Sequence, residues 1–147
     1  MLADILKMLK GEDHTSPLAV ADQRIAMAAL LVRVAVSDQS YDAVERDTID
    51  AVLEERFDLS THDAKQLRGE GETLERDAPD TVRFTRVLKD AVPFEERSAL
   101  AVALWRVALA DGERAAEENA LLRQVVNLLG ISDMDSNKAR QQAMRGT

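Results

Sequence analysis

Apolar residues recur along most of the chain at intervals of three and four, the spacing that places them on one face of an α-helix. Leu2, Ile5, Leu6 and Leu9 follow it before Gly11, which predicts a short amphipathic helix and then a polar loop to Ser16. Ser16 and Pro17 form a cap and first-turn pair, and Ile25, Ala28, Ala29, Val32 and Val36 carry a wide apolar stripe through a helix expected to end near Ser37. Asp42 with Glu45 three residues later reads as a capping box. The helix it opens turns Ile49, Val52 and Leu53 inward and is expected to stop around Phe57.

Ser60 and Asp63 begin a more polar helix. Gly69 and Gly71 within it each cost about 1 kcal/mol of helix propensity, so the stretch to Asp77 is expected to be broken or frayed. Pro79 opens a further helix through Val82, Phe84, Val87 and Leu88, and Pro93 a long one rich in Ala, Leu and Val. Segments 115–129 and 133–144 complete the series. No strand-like alternation occurs anywhere, so the pattern predicts an all-α fold of about eight helices.

The pattern also repeats. Arg33-Val34-Ala35-Val36-Ser37-Asp38 matches Arg106-Val107-Ala108-Leu109-Ala110-Asp111 at a constant offset of 73. The same offset pairs Ala43 with Ala116, Glu45 with Glu118, Ile49 with Leu122 and Val52 with Val125. After a one-residue deletion, Phe57-Asp58-Leu59-Ser60 falls on Leu129-Gly130-Ile131-Ser132. Each half therefore reads as helix, short acidic turn, helix, and two such units are expected to pack about a pseudo-twofold axis. On this reading residues 1–147 form a single domain sharing one core, with a first half over about 17–77, a second over about 78–147, and an N-terminal helix and loop over 1–16.

Composition narrows the chemistry. There is no cysteine, which excludes disulfides, thiolate metal sites and cysteine nucleophiles. The net charge of −8, from 27 acidic and 19 basic side chains, repels a phosphate backbone, so nucleic acid is not an expected partner. The same sign favours cations and basic protein surfaces. No apolar run approaches the length of a membrane span and no signal-peptide order opens the chain, so no direct membrane insertion and a cytoplasmic location are expected. His14 and His62 lack a second ligand at metal spacing and read as surface residues. Trp105 reads as a packing residue whose indole N–H needs a partner. No nucleophile motif, phosphate loop or cofactor fingerprint is present, and the expectation is a binding module rather than an enzyme.

The candidate site is the pair of acidic turns. Asp38 stands behind Val34 and Leu31, and Asp111 behind Val107 and Leu104, so both fall beside an apolar stripe in the last turn of a helix, where the helix dipole disfavours an anion. Glu45 and Glu118 enter from the next helix. Four such carboxylates suit a hard divalent cation, Ca²⁺ or Mg²⁺. Two other readings remain open: the acids are turn and first-turn residues, Glu45 being explained by its box with Asp42, or Arg33, Arg106 or Arg114 pairs with them.

Ala110-Asp111-Gly112-Glu113, Glu117-Glu118, Leu128-Leu129-Gly130-Ile131-Ser132 and the tryptophan-bearing segment Leu104-Trp105-Arg106-Val107-Ala108 together resemble the TerB-like tellurite-resistance family. The resemblance runs from about Ala21 to Ser132. It implies an all-α fold of two pseudo-symmetric halves, a role in tellurite resistance or stress response, and binding of metal ions through acidic side chains. It also implies a protein partner, with a membrane-associated resistance complex as one candidate; a metal-free interaction domain, similar to the TerB-like segments joined to co-chaperone modules, is the alternative. The first turn departs from the family form, with Ser37-Asp38-Gln39-Ser40 in place of Ala-Asp-Gly-Glu.

Overall fold

The computed structural model describes residues 20–37, 41–77, 85–86, 89–90, 92–110, 112, 116 and 119–145. Among the described residues the chain is all-α, with six α-helices, one short 3-10 turn and no strand. The helices are α1 (Val20–Val36), α2 (Ala43–Phe57), α3 (Thr61–Asp77), α4 (Arg97–Leu109), α5 (Ala120–Leu128) and α6 (Asp133–Met144), with the 3-10 turn at Phe94–Glu96 leading into α4. The helix expected at the N-terminus lies outside the described residues, as does most of the one expected after Pro79, of which 85–86 and 89–90 are described and helical.

Two helices are apolar nearly all round, and they sit in the middle. Ile25 to Val32 of α1 are all buried, as are Leu100, Ala101, Ala103, Leu104, Trp105, Val107 and Ala108 of α4. A helix with no polar face can be stable in water only when neighbours surround it. α1 is surrounded by α2, α3 and α4, and α4 by α1, α2, α5, α6 and the 3-10 turn. The buried apolar side chains form one cluster spanning all six helices, with Ile49, Leu53, Leu74 and Leu122 completing it from the flanking elements. The most extensive packing is α1 against α3 and α4 against α6.

α3 is unbroken from Thr61 to Asp77, contrary to the expectation of a break near its glycines. Packing supplies the reason at Gly71, which is buried where α3 crosses α1. A Cβ there would stand 2.8 Å from the Ala28 carbonyl carbon and Cβ and from the Ala29 nitrogen. The glycine's propensity cost is accepted in exchange for close approach of two helix backbones, and burial between them outweighs the loss.

α5 is shorter than expected. Ala116 is helical, but Asn119 is extended, at φ −76° and ψ 94°, and its Oδ1 accepts the Leu122 N–H at 2.9 Å. An N-cap side chain of this kind satisfies a donor that the helix cannot, so α5 proper begins at Ala120 rather than 115. The remaining boundaries follow their caps. Asp42 and Glu45 form the expected box at α2, and Ser60 and Ser132 each accept from the N–H three residues on, both at 3.1 Å. Helices α2 and α5 also close alike: Asp58 (φ 53°) and Gly130 (φ 79°) are left-handed, and the next residue donates back five positions, Leu59 to Glu54 and Ile131 to Val126.

Candidate functional site

Of the four acids expected to form the site, only Glu45 lies among the described residues; Asp38, Asp111 and Glu118 lie outside them. Glu45 is buried in the first turn of α2, where its Oε1 accepts the Asp42 backbone N–H at 3.3 Å and its own N–H donates to Asp42 Oδ1 at 3.2 Å. Among the described residues no group of three or more metal-ligating side chains is assembled.

The residues bordering the two turns are described, and they touch. Ser37, at the end of α1 and directly before Asp38, donates through Oγ to the Val34 carbonyl at 2.7 Å. The same hydroxyl reaches Oδ1 of Asn119, directly after Glu118, at 3.4 Å. On the other turn Gly112, following Asp111, has a left-handed φ of 107° and donates to the Leu109 carbonyl at 2.9 Å. That conformation is open to glycine and strained for most other residues. Arg33 lies against Glu75, donating to its carbonyl at 3.0 Å, and Arg106 lies against Glu55 at 2.6 Å; Arg114 is outside the described residues.

A polar network that periodicity did not reveal runs along the α2–α3 contact. Asp50 is buried and receives Arg68 Nε at 2.6 Å, and Arg68 NH1 also donates to Glu72, one turn further along α3, at 3.0 Å. The Tyr41 hydroxyl donates to the same Glu72 oxygen, and Arg46 lies 5.1 Å over the Tyr41 ring. Burial, and then the hydrogen bond to the Glu72 carboxylate, pushes the Tyr41 phenol above its ordinary range. Burial alone would lower Arg68, but the hydrogen bonds to Asp50 and Tyr41 and the charges of Asp50 and Glu72 hold it above its usual value. The network is a brace, with every charge engaged.

Among the described residues, two clefts can be placed on the surface. One, of about 330 Å³, lies between α1, the end of α2 and the 3-10 turn; Arg24 covers Phe57 at 5.0 Å and Arg56 pairs with Glu96 at 3.1 Å across it. The other, of about 530 Å³, lies between α5 and α6 with Trp105 and Ser136 in its floor. Trp105 is buried, as expected, and its indole N–H finds its partner in Ser136 Oγ at 3.1 Å. His62 is exposed, also as expected, and His14 is outside the described residues. No helix among the described residues is long and apolar enough to cross a membrane.

The family profile described as tellurite resistance protein TerB matches residues 24–141, which covers most of α1, all of α2 to α5 and most of α6. No curated protein and no solved structure matches the chain.

Proposed function

The chain belongs to the TerB family, and from that membership we propose that it is a stress-response module whose acidic turns hold a divalent cation and which docks onto a protein partner. The ligands in this reading are Asp38, Glu45, Asp111 and Glu118. All are carboxylates, and hard oxygen donors of that kind select Ca²⁺ or Mg²⁺ over softer ions. The observation that carries the reading is the Ser37–Asn119 contact, which joins the residue before Asp38 to the residue after Glu118. A cation between the turns would draw the four acids together and cancel repulsion among them. The module acts by binding, without catalysis, in the cytoplasm, and a membrane-associated resistance complex is a candidate partner.

The reading includes two related halves. It is supported by α1 leaning on α3 as α4 leans on α6, and by the like caps at Ser60 and Ser132 and left-handed ends at Asp58 and Gly130. The full count of about eight helices belongs to the same reading.

One observation favours the alternative, a metal-free interaction domain: Glu45 already serves the capping box of α2. Calorimetric titration with Ca²⁺, Mg²⁺, Mn²⁺ and Zn²⁺ separates the two. The cation reading expects saturable heats for Ca²⁺ or Mg²⁺ that vanish in the Asp111→Asn, Glu118→Gln double variant. Identical heats from both proteins would leave the interaction domain standing.

A further inference from the structure

The smaller cleft is walled by three elements, and each brings one apolar and one charged side chain to it. α1 contributes Arg24 and Met27, the end of α2 contributes Arg56 and Phe57, and the stretch around the 3-10 turn contributes Val92 and Glu96. Met27 and Val92 are buried and Phe57 is half-buried, so the floor of the cleft is apolar. A volume of about 330 Å³ with an apolar floor and a few polar groups is the ordinary form of a site for a small organic molecule.

The charges of this lining are not equally engaged. Arg56 pairs with Glu96 through NH2 at 3.1 Å, which straps the end of α2 to the 3-10 turn. Its Nε is buried and has no hydrogen-bond partner among the described residues. Arg24 lies 5.0 Å over the Phe57 ring, and no carboxylate pairs with it among the described residues. Stacking on a ring orients a guanidinium and leaves the N–H groups at its edge able to donate to an oxyanion. Two guanidinium groups against one carboxylate leave one positive charge to be matched, beside an aromatic and aliphatic floor. A guest that matches both features carries one anionic group and a hydrocarbon body.

We propose that this cleft binds a small amphipathic monocarboxylate, with its carboxylate on Arg24 and its hydrocarbon body against Met27, Phe57 and Val92. Inorganic anions use only the cation, and neutral hydrocarbons only the floor. Glu96, held beside Arg56, repels a second anionic group and so selects against dicarboxylates. Each methylene buried in the floor strengthens binding about fourfold. None of the four turn acids takes part, so the site stands or falls independently of the cation reading.

The methyl resonance of Met27 reports on the floor of the cleft, and the exposed Met134 and Met144, which do not line it, serve as controls. Met27→Leu, Met134→Leu and Met144→Leu assign the three peaks in a ¹H–¹³C spectrum. The test titrates the full-length protein with sodium hexanoate, 1-hexanol and sodium acetate at matched ionic strength. Saturable movement of the Met27 peak is expected with hexanoate, at concentrations about tenfold lower than with hexanol and about a hundredfold lower than with acetate. Arg24→Gln is expected to weaken hexanoate binding about tenfold and leave hexanol unchanged, with Arg24→Lys in between. The comparison of hexanoate with hexanol on the native chain reads the charge without any variant. Absence of saturable movement with hexanoate would overturn the proposal, as would equal affinity for hexanoate and hexanol or for hexanoate and acetate. Undiminished hexanoate binding in Arg24→Gln, or parallel movement of the Met134 and Met144 peaks, would overturn it as well.

Discussion

At position 71 the space beside the α-carbon is taken by the backbone of α1, whereas at position 69, half a turn away on the same helix, a Cβ would meet nothing within 4 Å. The two glycines therefore respond to alanine in opposite directions. Gly71→Ala forces two helix backbones apart and should cost about 2–3 kcal/mol. Gly69→Ala gains helix propensity without contact and should stabilise by about 0.5–1 kcal/mol. Thermal melts of the two variants check the pair, and equal effects would mean that α1 and α3 do not meet at Gly71. Tyr41, the one tyrosine, offers a second residue-scale test. Its folded-state value is raised, so the stability gained by keeping the phenol protonated is fully present below its unfolded value of about 10. It is lost as pH rises from there through the folded value. Tyrosinate absorbance should thus emerge well above pH 10 in the native protein and at about 10 in urea. Coincident midpoints would remove the Tyr41–Glu72 bond from the account.

Helix ends show what the sequence makes legible and where it stops. The box at Asp42 and Glu45, the stop at Phe57 and the limits of α6 were all readable, because each rests on local bonds between residues three to five apart. Asn119 was equally local but was masked by the acids before it, which read as a first turn and extended the helix backwards. Gly71 was misread because its reason lies 43 positions away, at Ala28, beyond any periodicity. The Asp50–Arg68 pair was missed for the same cause: contacts across a helix pair leave no period in the sequence. Trp105 was placed correctly, and its need for a partner foreseen, though not that Ser136 would be that partner. Of the candidate acids, Glu45 alone can be compared with its expected place, and its box is formed. The paired helix ends give a prediction at this scale. Asp58→Gly relieves a left-handed side chain and removes a negative charge from the carboxyl end of α2, so it should raise stability by about 0.5–1 kcal/mol. Gly130→Ala, at the matching end of α5, should lower it by about 1 kcal/mol. A loss of stability in Asp58→Gly would show that its carboxylate makes a contact worth more than the strain.

Across the whole molecule, a single buried cluster ties the first three helices to the last three, with α1 and α4 in contact at its centre. That arrangement fixes α1 and α4 relative to each other, and Ser37, at the end of α1, meets Asn119, the cap of α5. If a cation binds between the acidic turns, it bridges the two halves and must stabilise the fold by mass action. At a hundredfold excess over its dissociation constant the gain is about 2.7 kcal/mol. Because ligating carboxylates must be ionised, the gain should fade as pH falls through their range, near 4. The direct measurement is the melting temperature with Ca²⁺ or Mg²⁺ and with chelator, at pH 7 and near pH 4. The account predicts a rise of several degrees with the cation at pH 7 and almost none near pH 4. Identical melts at pH 7 with excess Ca²⁺, excess Mg²⁺ and chelator would contradict it.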